Sequence, residues 1–364
     1  MRTPPNERNE VKSMKIYPEN LPNTGYTFKD HRPENRSGHL SHALVEYAPG
    51  KVLAFYSNCS GKRNRWAPGH NGFGWLEYRR SADYGETWGA PVVFDYSMKC
   101  LLNEPYTVSC EKAVSPAENT IVALCIRNEN PDGWEPYLQP VAVISQDGGD
   151  TWGEPIEITP EKGRIYDAFV KDGVIYLLMQ ANSDFLSSKP EHRYELMKSE
   201  DGGHTYSLVS VFPYLPGRAY GSMVLRPDGS LVVYIYNAGD EFNMDYFISR
   251  DMGKTWEEQG KSYCARRIRN PQVAYTGENY ILHGRSGCVG KLLPMDFVFY
   301  TSPDGIHWDE GIILCTVPGA TAYYSNNLVL TRPDGRKRVI IQSSVPNGTG
   351  NGRVNIAQWY IEAE

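Results

Sequence analysis

"SQDGGDTW", residues 145–152, sets a serine, an aspartate, a glycine, a threonine and a tryptophan at fixed offsets within eight positions. Close copies stand at 81–88 (SADYGETW), 199–206 (SEDGGHTY) and 249–256 (SRDMGKTW), and a shorter relative at 301–308 (TSPDGIHW). Their first serines, Ser81, Ser145, Ser199, Ser249 and Ser302, are 50–64 residues apart, the period of a repeat architecture. Each interval holds short alternating or apolar runs broken by turn residues. In the fourth unit "YGSMVLRP" (220–227) passes through a DG turn to "SLVVYIYN" (230–237), and "MDYFISRD" (244–251) enters the repeated turn. Hairpin follows hairpin, four short strands to a unit, which describes a propeller blade.

Within the turn, Asp83, Asp147, Asp201 and Asp251 can accept hydrogen bonds from the backbone N–H groups that follow. Gly85, Gly149, Gly203 and Gly253 allow a positive φ. The closing aromatic (Trp88, Trp152, Tyr206, Trp256, Trp308) is expected to pack against the blade and set the hairpin's angle. The turns therefore read as structural staples away from any ligand. Five units carry the turn. A sixth (AYYSNNLVL, RKRVIIQSS, RVNIAQWYI) lacks it. The reading is an all-β, six-bladed β-propeller, a seven-bladed ring being the alternative. Residues 1–36 form an N-terminal segment in which "SMKIYP" (13–18) supplies a ring-closing strand, and 37–364 form the propeller.

Composition limits what such a ring can do. The 364 residues carry a net charge of −6, which disfavours nucleic acid or an anionic membrane as general partners but leaves room for a local basic pocket. No apolar run reaches membrane-spanning length, and the charged N-terminus has no signal-like apolar stretch. Seven scattered cysteines without a CxxC read as buried thiols, and the expected location is cytoplasmic. No cofactor or metal is expected; His39 and His42, on opposite sides of a strand, would be a poor ligand pair.

S-x-D-x-G-x-T-W resembles the Asp box of the sialidase (neuraminidase) superfamily, and the likeness runs from about residue 37 to the C-terminus. It implies a propeller whose function collects at first-strand starts and second-strand ends. "GATAYYSNNLVL" (319–330) resembles the segment bearing the sialidase tyrosine nucleophile, which falls on Tyr324. Where sialidases have Arg-Ile-Pro in the first blade, this chain reads "HLSHAL" (39–44), more similar to the histidine-bearing rhamnosidase and uronate-lyase branches.

The candidate catalytic residues are His42, His39, His70 and Tyr324. The candidate substrate-binding residues are Arg127, Arg269, Arg285, Arg267, Tyr220, Asn58 and Asn237, with Arg127, Arg269 and Arg285 expected to converge on a carboxylate. The expected activity is exo-acting glycoside hydrolysis of a small acidic or deoxy-sugar-containing oligosaccharide. A lyase eliminating across a uronate is the alternative, and a carbohydrate-binding propeller without catalysis a third. Imidazole serves as acid and base near neutral pH, so His42 is expected to matter more than Tyr324.

Overall fold

The computed structural model describes residues 15–17, 25–60, 73–104, 106–129, 138–181, 193–212, 217–286, 295–317, 322–348 and 352–363. Six small antiparallel sheets stand around one axis as a six-bladed β-propeller. From the axis outward, the second blade runs Tyr106–Val114, Ile121–Glu129, Val141–Ser145 and Ile156–Glu157. The third, fourth and fifth repeat that plan, their inner strands being Gly163–Lys171, Arg218–Leu225 and Arg269–Tyr275. In the first blade the inner strand is in two pieces, Arg36–Ser37 and Leu44–Ala48, both paired with Lys51–Ser60. The sixth blade runs Ser325–Thr331, Lys337–Pro346 and Val354–Ala363. Outside it lie Tyr26–Lys29, paired to Ile356–Gln358, and Lys15–Tyr17, paired to Tyr360–Glu362.

A blade is covered on both faces by its neighbours, so its second strand reads as a continuous apolar run rather than an alternating one. "VLAFY", "IVALCI", "VIYLLM" and "LVVYIY" are buried throughout or nearly so. Six buried clusters fill the seams. Leu53, Phe55, Tyr78, Val108 and Ile121 meet between the first and second blades, and Phe28, Val52, Leu330 and Ile340 between the sixth and first.

The repeated turns staple one blade to the one before. In the copy at 145–152, Ser145 Oγ donates to Asp147 Oδ1 (2.7 Å) and accepts from the Gly149 N–H (2.8 Å). Asp147 accepts from both the backbone N–H (2.9 Å) and the hydroxyl (2.5 Å) of Thr151. Gly149 has φ +89°, and a Cβ there would stand 2.9 Å from Leu53 Cδ1 of the preceding blade, so both conformation and contact demand glycine. The tryptophan adds a bond across the seam, its indole N–H donating to the blade before: Trp88 to Tyr360, Trp152 to Tyr78, Trp256 to Ser210 and Trp308 to Ser262.

Hydrogen bonds from the Thr151 side chain, the Thr151 backbone and Ser145 hold the Asp147 carboxyl down at about 2, below its ordinary 3.8. A carboxylate held down in the fold contributes stability above its unfolded pKa and loses it as pH falls through the folded value. Asp147→Ala should cost about 1 kcal/mol at neutral pH, the scale of a lost cap, with turnover per folded molecule unchanged. Calorimetry from pH 6 downward should show the gap to wild type closing between about pH 4 and pH 2. A gap that persists unchanged at the acid end would contradict this account.

Candidate axial site

Inner-strand starts and second-strand ends meet at one mouth, opposite the end bearing the repeated turns. Four inner strands are kinked there by a bulge: between Cys110 and Lys112, Ile165 and Asp167, Ala219 and Gly221, and Arg269 and Gln272. A bulge leaves residues out of the ladder and re-aims them. In the second, third and fourth blades the residue left out is Glu111, Tyr166 and Tyr220, and in the fifth it is the pair Asn270–Pro271. Tyr220 (φ +49°) and Asn270 (φ +55°) lie in the left-handed region, as do Ser41 (+69°) and Tyr323 (+62°) at the corresponding places of the first and sixth blades. Non-glycine residues are uncommon there.

These kinks bring three guanidiniums onto two phenols. Arg164 lies 5.7 Å from the ring centre of Tyr220 and 6.0 Å from that of Tyr324. Arg269 lies 5.7 Å from Tyr220, and Arg285 5.4 Å from Tyr324. Arg164 also donates to Glu111 Oε2 at 3.1 and 2.7 Å. Tyr324 O–H donates to the Tyr220 oxygen, which also accepts from Arg269. Burial would raise the Tyr220 pKa, but Arg269, Arg285, Arg164 and the Tyr324 bond together outweigh it and bring it below the ordinary 10. Tyr324 moves the other way, raised by burial and then by the charge on Tyr220. The pair therefore has a defined polarity: Tyr220 ionises first, and Tyr324 keeps its proton toward it.

Below this group a polar hub closes the axis. Lys112 of the second blade reaches Asp167 (2.9 Å), Gln272 (2.8 Å) and Asn326 on three other blades. Asp167 in turn accepts from Ser222 Oγ (2.8 Å) and the Met223 N–H (2.7 Å).

Of the residues singled out from sequence, Tyr220, Tyr324, Arg269 and Arg285 come together. Arg127 does not join them. Its guanidinium is bound to the Gln139 carbonyl (3.2 and 3.1 Å) and lies 6.0 Å from the Tyr106 ring, because its strand end is capped by its own blade. Arg164 takes the third place. Its signal was present in the repeat itself, since "GRIY" (163–166) matches "GRAY" (217–220) letter for letter but one. Glu111, mid-strand by pattern, carried no such signal.

Arg267 rests 5.8 Å from the Phe242 ring on the approach to the fifth blade. Asn58 is held by Arg36 and donates to Glu77 (2.7 Å), while Asn237 accepts from the Gly239 (2.9 Å) and Asp240 (3.2 Å) N–H groups; both shape loops. His39 and His42 lie in the break of the first blade's inner strand, not on a strand as expected. His42 Nε2 donates to the His39 carbonyl (2.9 Å), and burial pushes its pKa down to about 4, leaving a neutral ring. Leu40 between them belongs to the buried cluster that includes Tyr166, Tyr220 and Tyr324. His70 lies outside the described residues. Among the described residues no group of three or more His, Cys, Asp or Glu side chains is placed to hold a metal ion.

The site is thus a group of arginines and tyrosines gathered at the axial mouth of a six-bladed ring. No family model matches the chain. It is 28% identical to a sialidase of Paraclostridium sordellii over 129 residues, 32% of this chain and 31% of the relative, so the match spans about a third of that protein. Among solved structures it is similar to a protein of unknown function from Dyadobacter fermentans (TM-score 0.67, 17% identity, 93% of this chain and 98% of that one). It is also similar to the Trypanosoma rangeli sialidase in complex with 2,3-difluorosialic acid (TM-score 0.62, 14% identity, 96% and 59%). A third is the phage phi92 endosialidase (TM-score 0.61, 10% identity, 97% and 69%). The chain spans about three fifths of the T. rangeli protein. These likenesses bear out the resemblance to the sialidase superfamily and the six-bladed ring.

Proposed function

We propose that the chain is an exo-acting glycoside hydrolase that removes an acidic sugar from the end of an oligosaccharide. The observation that carries this reading is the convergence of Arg164, Arg269 and Arg285 on the Tyr220–Tyr324 pair. Arg269 and Arg285 are directly opposite one another on paired strands, an arrangement that costs energy until an anion lies between the two charges. A planar carboxylate matches guanidinium forks, and phenol rings cover a sugar face. The hub beneath closes the axis, which suits a chain end.

In this scheme the Tyr324 oxygen attacks the anomeric carbon as its proton passes to ionised Tyr220, and the leaving oxygen departs with the bond electrons and takes its proton from solvent. Water then adds to the anomeric carbon as the aryl–sugar link breaks, Tyr324 takes its proton back from Tyr220, and the water's spare proton is released to solvent. A nucleophile with a positioned base is the usual way to make a weak one competent. Support for a sugar ligand comes also from the neighbouring folds that bind sialic-acid-type compounds.

The low Tyr220 pKa favours one second reading, in which Tyr220 removes the α-proton of a uronate whose carboxylate the arginines neutralise. Products separate the two: elimination creates a conjugated double bond seen by ultraviolet absorbance, and hydrolysis does not. In the hydrolase reading kcat/KM for an acidic aryl glycoside should rise with pH through the Tyr220 ionisation, below 10, and Tyr220→Phe should remove that limb. Equal turnover of acidic and neutral glycosides would sink the proposal.

A further inference from the structure

On the face opposite the mouth, the seam between the sixth and first blades holds a cavity of about 510 Å³, well within the range of ligand sites. Its origin is the way the ring closes. The outer edge of the sixth blade is made of two separate pieces, Lys15–Tyr17 and Tyr26–Lys29, and the wall beneath Tyr26 is left hollow. Aromatic rings line it: Tyr26, Phe28, Trp88 and Tyr360. Tyr26 is exposed, and Phe28 and Trp88 meet edge to face at 5.1 Å.

Two arginines enter this cavity in different states. Arg338 is saturated by Glu362 (2.6 Å), Glu86 (3.3 Å) and the Tyr84 carbonyl (3.3 Å). Arg79 has no carboxylate partner among the described residues. Its guanidinium lies 5.1 Å from the Phe28 ring, and its buried Nε–H has no hydrogen-bond partner. A buried, unmatched guanidinium donor is costly unless something occupies it.

We propose that this seam cavity is a second binding site, for a sugar unit bearing a carboxylate or sulfate. Arg79 takes the anionic group and the rings take the sugar face. The assignment rests on the cavity's own residues and stands apart from the axial chemistry.

The test is titration of the full chain, followed by ligand-observed NMR, with glucuronate, glucose 6-sulfate and glucose as probes. They are run on wild type, Arg269→Lys, Arg79→Met and Tyr26→Ala. The expected result is binding of an acidic probe that survives Arg269→Lys and weakens about tenfold or more in Arg79→Met, as loss of a charge-assisted bond implies. Preference for glucuronate assigns a carboxylate, and preference for the sulfate ester assigns a sulfate. Tyr26→Ala removes an exposed ring and should weaken the same event, which keeps the test valid if Arg79→Met does not fold. The proposal is overturned if acidic probes bind Arg79→Met and Tyr26→Ala as tightly as wild type. It is equally overturned if glucose binds as well as they do, if Arg269→Lys removes all binding, or if wild type binds neither acid.

Discussion

Tyr324→Phe is expected to lower kcat/KM by about 10²–10⁴-fold while leaving the melting temperature close to wild type, the usual cost of removing a positioned proton-transfer or nucleophilic group. Tyr220→Phe should cost a similar factor, since it removes the oxygen that accepts the Tyr324 proton. The two phenols act as one unit, so the double variant should be little worse than either single one. His42→Ala is the informative comparison. Its sequence context pointed to the larger loss at His42, but the ring is neutral, buried and bonded to the His39 carbonyl, and the charges acting on Tyr220 are those of the three arginines. The order should therefore be reversed, with His42→Ala retaining more activity than either tyrosine variant. Paired kinetics on one acidic aryl glycoside decide it. A dead His42→Ala with an active Tyr324→Phe would return the chemistry to the histidine.

The second large effect falls on the guanidiniums. Arg269→Lys and Arg285→Lys should each raise KM for an acidic substrate by about tenfold or more, because an ammonium cannot reproduce a planar two-point contact. The methyl ester of the same substrate should show little change. Arg127→Lys should leave both substrates alone, since that side chain is occupied by the Gln139 carbonyl. Should the ester suffer as much as the acid, the arginines act by holding the tyrosines in place and not by receiving a carboxylate.

The all-β class and the blade count were legible because they depend on local chemistry repeated in sequence. A serine, an aspartate and a glycine at fixed offsets make the same turn wherever they occur, and five copies at blade spacing imply the ring. The buried second strands were legible for the same reason, since a strand covered on both faces must be apolar throughout. Four of the five arginines and tyrosines of the axial group were also within reach: Tyr220, Tyr324, Arg269 and Arg285 follow from knowing where first strands begin and second strands end.

What lay outside the sequence was decided between blades. The indole N–H bonds join residues as far apart as Trp88 and Tyr360, a partnership no local pattern announces. Arg127 and Arg164 both stand at the mouth ends of their strands, and their types do not separate them. The placement of the Gln139 carbonyl ties one down, and Glu111 helps draw the other to the axis. Glu111, Tyr166 and Tyr220 reach the axis because a bulge drops each from its ladder, and one extra residue in a strand turns every side chain after it to the other face. Alternation read along the chain assumes an unbroken ladder. Sequence alone therefore determined the turns, the strands and the ring; where the strands break register at the axis, and so which side chains meet there, was decided by the packing of neighbouring blades.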